Sequence, residues 1–166
     1  MSTHPTTADT LLGLEGLIRM VRYGQRRVAV DAPGPQLRAA QAGHPDVALE
    51  PLDPAAAGPE GALAGIWCGT RLADAAPGAA AAALRDFCLR LAPHGVALVG
   101  FRASGTDPVW TLETVRALFL DCGFTVTKIH RVPDARDGED VIYAFGSRRA
   151  ECCTGTPVPL YDTHAH

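Results

Sequence analysis

The sequence predicts an α/β domain built as a three-layer sandwich, with a mostly parallel sheet between helices and an antiparallel strand near its C-terminus. First, short apolar runs alternate with stretches of helical periodicity, which is typical of βαβ units. Second, residues 96–101 are almost all apolar, as expected for a strand buried on both faces of a parallel sheet. Third, a short charged segment over residues 134–140 joins the last two apolar runs, which favours an antiparallel pair.

The first half of the chain is predicted to hold two helices and three strands. Leu14, Leu17 and Ile18 recur at helical spacing, and Gly24 is placed to end that helix. A stretch rich in alanine, glycine and proline predicts a surface loop over residues 54–61. In order, the predicted elements are a helix over residues 11–23, a strand over 28–30, a helix over 35–43, and strands over 47–49 and 62–68.

The second half is predicted to hold two more helices and three strands. Leu84 and Phe87 lie on one stripe of an alanine-rich helix that packs on the sheet. Thr111 is a candidate N-cap, Glu113 falls in the first turn, and Gly123 ends the second of these helices. In order, we predict a helix over residues 79–91, a turn at 93–95, a strand over 96–101, a helix over 111–121, and strands over 124–132 and 141–145.

These elements predict one domain over residues 1–148 and a flexible tail over residues 149–166. A chain of 166 residues has the usual size of a single domain with its own core. The last residues show no periodicity, which is typical of a mobile terminus.

The charge and hydropathy of the chain exclude some partners. The net charge is −3 and the pI is about 6.0, so we expect no nucleic acid partner, because phosphate binding needs a concentrated basic surface. No apolar run approaches the length of a membrane span, and the N-terminus is polar. We therefore expect a cytoplasmic protein with no membrane partner.

The five cysteines are an odd number in apolar surroundings, which predicts reduced thiols rather than a disulfide framework. Cys152, Cys153, His164 and His166 offer an alternative, a metal site in the tail. Adjacent cysteines and a terminal His-x-His are poorly spaced for a closed tetrahedral site. The prediction is therefore that the chain binds no metal.

Three stretches carry a resemblance to a known family. They are VAVDAPGPQLRAAQ over residues 28–41, VALEPLDP over 47–54, and GIWCGTRLADAAPGAAAAALRDFCLRLAPHGVALVGF over 65–101. Together with the last helix and its terminal strand pair, they resemble the class I S-adenosylmethionine-dependent methyltransferases of the small bacterial type. The resemblance covers roughly residues 11–148 and implies a Rossmann-like fold with S-adenosylmethionine as cofactor.

The resemblance also implies roles for individual residues. Asp31, with Ala32 beside it, would bind the ribose diol, since two neighbouring hydroxyl donors need a carboxylate acceptor at the carboxyl end of a strand. Leu52 would pack on the adenine, and Asp53 would accept a hydrogen bond from the adenine amino group. In the third stretch, the residues near the methionine part would be Cys68, Gly69 and Thr70, and those facing the substrate would be Arg71 and Asp74.

The N-terminal segment departs from the family pattern. The family's glycine-rich loop falls on DTLLGLEG over residues 9–16, where Gly13 and Gly16 are the remaining candidates for the cofactor's amino acid part. Residues 1–8, where the central strand would lie, contain no apolar run. The central strand is therefore either lost or very short, and a lost strand could leave an apolar seam open to a partner.

Two functions remain open from the sequence. One is methyl transfer to an acceptor that we expect to be a small molecule. The other is a catalytically inactive, methyltransferase-like protein that serves as a binding or assembly partner, for example as a homodimer. A nicotinamide-binding domain is a third interpretation, in which Asp31 would hold the adenine ribose, but the sequence has no G-x-G-x-x-G motif.

Overall fold

The computed structural model describes residues 13–21, 27–52, 60–69, 72–73, 75–103, 109–133 and 140–149. These residues form an alternation of helices and strands that closely follows the predicted order. The helices are α1 (Leu14–Met20), α2 (Gly34–Gly43), α3 (Pro77–Arg90) and α4 (Leu112–Asp121). The strands are β1 (Arg27–Val30), β2 (Ala48–Pro51), β3 (Leu63–Cys68), β4 (Leu91–Ala103), β5 (Phe124–Pro133) and β6 (Asp140–Arg148).

The six strands form one sheet in the order β2-β1-β3-β4-β6-β5. Strands β1 to β4 are parallel where they pair, whereas β6 runs antiparallel to both β4 and β5. The predicted fold class, a mostly parallel sheet with an antiparallel strand near the C-terminus, is confirmed. None of the described helices is long and apolar enough to span a membrane.

Helices cover both faces of the sheet, and each face has its own core. Helix α1 buries the apolar residues that recur at helical spacing, and α2 packs beside it on what we call the α1/α2 face. Helices α3 and α4 cover the opposite, α3/α4 face. The α1/α2 face includes Leu14, Leu17, Val28, Val30, Trp67, Leu98 and Phe145, and the α3/α4 face includes Ile66, Cys68, Leu84, Phe87, Val99, Phe101 and Phe119.

The start of helix α4 confirms a prediction made from local chemistry. Thr111 is the N-cap, and its hydroxyl accepts a hydrogen bond from the Thr114 backbone N–H at 3.1 Å. Glu113 lies in the first turn, and Gly123 follows the helix with a φ of 98°.

The amino end of β4 differs from the prediction. We expected a turn at residues 93–95 before the strand, but β4 already begins at Leu91, which pairs with Leu63. The ladder shifts register between Leu63 and Gly65, and His94 takes up the extra length with a φ of 66°. The local turn chemistry is therefore accommodated as an irregularity inside the strand, because pairing on both sides of it is retained.

The pairing of strand β1 determines whether a central strand has a place in the sheet. It is hydrogen-bonded to β2 on one side and to β3 on the other, and the Asp31 backbone N–H extends the second ladder by donating to the Trp67 carbonyl at 2.9 Å. A strand before α1 would normally lie beside β1, because consecutive parallel strands joined by a helix are usually neighbours. Both places are taken, so no central strand separates β1 from β3. The expected open seam is wrong, because the two strands close it by pairing directly.

Candidate functional site

After β1 and after β3, the chain continues to helices on opposite faces of the sheet. From β1 it continues into α2, whose Leu37 packs on the α1/α2 face, whereas from β3 it continues into α3, whose Leu84 packs on the α3/α4 face. The carboxyl ends of these adjacent strands are therefore a topological switch point. In open α/β sheets, ligands bind in the crevice outside such a point. This edge is the candidate site.

Asp31 lies at the centre of this edge. It is the first residue after β1 and is partly buried, and its backbone N–H bonds to the end of β3. Since neighbouring strands are about 4.8 Å apart, the Asp31 backbone lies directly beside the β3 exit. Ala32 follows and packs against the core of the α1/α2 face.

Leu52 lies on the β2 side of Asp31. Its backbone N–H donates to the Val30 carbonyl at 2.9 Å, which places it next to the end of β1. Its side chain is 4% exposed and belongs to the core of the α3/α4 face. The structure thus brings Leu52 and Asp31 together along one edge, while adenine packing by Leu52 stays a prediction. Asp53 lies outside the described residues.

On the β3 side of Asp31, the residues at the carboxyl end of the strand are tightly packed. Cys68 is fully buried, and a Cβ added to Gly69 would lie 2.5 Å from the ring of Trp67. The Gly69 carbonyl passes over Gly100 of β4, where an added Cβ would come within 2.2 Å of its oxygen. Further along, the Ala73 carbonyl accepts from the Arg102 backbone N–H at 3.1 Å. Gly69 and Ala73 therefore both lie beside the carboxyl end of β4. Thr70, Arg71 and Asp74 lie outside the described residues.

Gly13 and Gly16 lie against the face of the sheet. Gly13 has a φ of 84°, and a Cβ added there would be 2.5 Å from Leu98 Cδ2 and 3.6 Å from Phe145 Cζ. A Cβ added to Gly16 would be 4.0 Å from the same Phe145 atom. The positive φ and the close approach of Leu98 are sufficient reason for glycine at position 13. Cofactor binding by these two residues stays a prediction.

Gln36 is a candidate residue that the sequence did not reveal. It lies in the first turn of α2, five residues after Asp31, and its Oε1 is buried with no hydrogen-bond partner. Buried side-chain acceptors are normally paired, so an unpaired one in the first turn of the helix that follows β1 is a candidate for accepting a ligand hydrogen bond. The burial of one atom depends on tertiary packing, and periodicity carries no signal for it.

Within the described part of the chain, no group of histidine, cysteine and acidic side chains is arranged to hold a metal ion. No disulfide joins the described cysteines, Cys68, Cys88 and Cys122, and all three are buried. Two of them have packing roles, since the Cys88 and Cys122 thiols donate to the carbonyls of Gly123 and Ala81. The cysteines and histidines of the tail lie outside the described residues.

No protein-family model matches the chain, and neither does any curated protein sequence. Solved structures do match in fold. The 1,6-didemethyltoxoflavin-N1-methyltransferase of Burkholderia thailandensis, solved with S-adenosylhomocysteine, has a TM-score of 0.59 at 20% identity, and the match covers 85% of this chain and 66% of that one. The chain thus spans about two thirds of that enzyme's length.

Two further structures show the same likeness. The 16S rRNA (adenine(1408)-N(1))-methyltransferase of Catenulisporales acidiphilia has a TM-score of 0.59 at 13% identity, with 82% of this chain and 92% of that chain covered. A proposed methyltransferase in complex with the Trm112 activator of Haloferax volcanii has a TM-score of 0.57 at 13% identity, with 86% and 92% covered. The sheet order, the switch point and these likenesses agree: the chain has the fold of the class I S-adenosylmethionine-dependent methyltransferases.

Proposed function

We propose that this chain is a methyltransferase-like protein that binds the adenosyl part of S-adenosylmethionine over the carboxyl ends of β1 and β3, and transfers the methyl group to a small-molecule acceptor. The observation that carries the proposal is the position of Asp31. A partly buried carboxylate at the end of a parallel strand, at the switch point of the sheet, is suited to hold a ribose diol.

The side chains at this edge fit the hydrogen-bonding groups of a nucleoside. The two ribose hydroxyls and the adenine amino group are donors, and they need acceptors on the protein. The Asp31 carboxylate and the buried, unpaired Oε1 of Gln36 are both acceptors. The backbone of Leu52 pairs with Val30 at the same edge, and its apolar side chain packs in the core of the α3/α4 face.

When bound, S-adenosylmethionine would supply a methyl group on a positively charged sulfur, and transfer of that methyl group to a lone pair of the acceptor would leave a neutral thioether. The task of the protein is to hold this alignment in a site that excludes water. Asp31 and Gln36 would fix the nucleoside. Arg71 and Asp74 are proposed to face the acceptor, whose proton passes to solvent.

Isothermal titration calorimetry with S-adenosylmethionine and S-adenosylhomocysteine tests the proposal. D31N keeps the shape of the side chain and removes its charge, so we expect about tenfold weaker binding, the loss of roughly one charge-assisted hydrogen bond. D121N is the matched control, because Asp121 is exposed at the last position of α4, away from the site. Absence of heat at millimolar ligand, or equal affinity of D31N and D121N, would contradict the proposal.

A second candidate function is that of an inactive binding or assembly partner. It is favoured by the direct pairing of β1 with β3, which removes the place of the central strand. Light scattering combined with the same titrations separates the two functions. A stable oligomer that binds neither compound supports the partner role, whereas a monomer that binds both argues against it.

A further inference from the structure

We infer that the site recognises the nucleoside end of its ligand and contributes little to holding the amino acid end. The expected ligand class is 5′-thioadenosines in general, with or without the methionine-derived tail. The inference rests on the proposed function and narrows it, since it says which half of the ligand supplies the binding energy.

The first argument concerns where the amino acid carboxylate could be held. In α/β folds, anionic groups bind to backbone N–H groups where a helix starts after a central strand. In this sheet β1 is paired on both sides, so α1 is not preceded by a strand beside β1. Among the described residues, no turn after a central strand presents its backbone N–H groups over the crevice.

The second argument concerns the glycines at the start of α1. Glycine helps a ligand when its bare face allows the backbone to approach closely. Here the bare face of Gly13 is directed at Leu98 Cδ2, and that of Gly16 at Phe145 Cζ. The bare face of Gly13 is therefore filled by the core of the sheet, and that of Gly16 is directed toward the same core.

The third argument is electrostatic. Glu15 lies in the first turn of α1 and forms an ion pair with Arg19 at 2.8 Å, although both side chains are about two thirds exposed. A ligand carboxylate at this helix start would be repelled by the negative charge of Glu15, and the Arg19 guanidinium is already paired with Glu15. The start of α1 thus disfavours the ligand carboxylate.

The nucleoside end meets different surroundings. Asp31 and Gln36 carry two acceptor groups at the β1–α2 junction, and Leu52, the first residue after β2, pairs with Val30 at the same edge. The described residues therefore match the donor groups of adenosine better than the paired charges of an amino acid. From this contrast we expect affinity to follow the nucleoside.

The test is calorimetric titration of the full chain with S-adenosylhomocysteine, 5′-methylthioadenosine and adenosine. We expect the first two to bind with dissociation constants within about threefold of each other, which is about 0.65 kcal/mol. D31N should weaken both by the same factor, whereas the D121N control should weaken neither.

The outcomes separate this inference from the proposed function. If S-adenosylhomocysteine binds more than about threefold tighter than 5′-methylthioadenosine, the tail is recognised, so the inference fails while the proposed function stands. If none of the three compounds binds, both fail. Equal weakening of both thioadenosines by D31N supports both.

Discussion

Helix α2 carries a glutamine near each end, and the protein uses the two side chains differently. Gln41 is fully engaged: its Nε2 donates to the carbonyls of Val47 at 2.7 Å and His44 at 3.0 Å, and its Oε1 accepts from the Leu49 N–H at 2.8 Å. The Oε1 of Gln36 is buried without a partner. One end of the helix is thus fixed by the chain's own hydrogen bonds, while the other holds a buried acceptor that has no partner, which we propose to bind the ligand.

The same contrast holds between the two edges of the sheet. At the amino edge, the Arg148 guanidinium donates to the carbonyls of Leu89 and Leu91, which satisfies the end of α3. At the carboxyl edge, α2 starts after Pro33 with no side-chain cap. The proposed function predicts this division, with a stability role at the amino edge and a binding role at the carboxyl edge, and substitutions can test it.

The largest expected effect is on stability, from Q41M. Methionine keeps the length of the side chain but removes three hydrogen bonds and leaves the Leu49 N–H unpaired on an edge strand. We expect the free energy of unfolding to fall by about 2–3 kcal/mol. Denaturant titration followed by circular dichroism measures the change, and nucleoside affinity should stay constant under native conditions. A loss of affinity with no loss of stability would reverse the assignment of the two ends.

The matched substitution at the other end, Q36M, should have the opposite sign. Removing a buried acceptor that has no partner relieves a desolvation cost, so we expect the unliganded protein to gain about 1 kcal/mol. Affinity for S-adenosylhomocysteine should fall about threefold to tenfold, since one neutral hydrogen bond to the ligand is lost.

The control for Q36M is internal to the helix, because Q41M introduces the same residue a short distance away. Calorimetry and denaturant titration should be carried out on both variants. If Q36M destabilises the protein as much as Q41M does, Gln36 has an ordinary structural role, and the functional comparison between the two ends fails.

Local sequence chemistry accounts for much of the fold. The Thr111 cap depends on residues close in the chain, and the buried strands have apolar runs, so both could be predicted. Asp31 could be placed at the carboxyl end of a strand for the same reason. Residues that share a short segment thus carry their own structural signal.

The remaining features depend on distant pairing. The β1–β3 ladder joins Val28 to Gly65, and nothing within either strand indicates that a central strand will be excluded. The irregularity at His94 exists because Leu91 pairs with Leu63, a contact that turn chemistry does not report. Likewise, the unpaired acceptor of Gln36 depends on burial of a single atom. These features required the assembled sheet.

The smallest expected effect comes from a substitution at His130. It tests whether an unpaired buried atom is enough to indicate a binding site. Its Nδ1 is also buried without a partner, but it lies on β5, four strands along the sheet from β1. Its ring centroid is 6.2 Å from that of Tyr143, so phenylalanine can replace it against the same neighbour. H130F should therefore leave the affinity for nucleosides unchanged, in contrast to Q36M.

The same residue predicts a pH dependence of stability. Burial, and secondarily the charge of Lys128, lower the pKa of His130 below its ordinary value of 6.5. A lowered pKa means that the unfolded chain binds the proton more readily, so the contribution is fully present above about pH 6.5 and is lost as pH falls toward the folded pKa. Unfolding free energies measured at about pH 7.5 and about pH 5.5 should decrease slightly more for the wild type than for H130F. If both proteins respond equally, His130 is not the source of the pH dependence. If H130F weakens nucleoside binding, the difference between the α2 start and the rest of the sheet is lost.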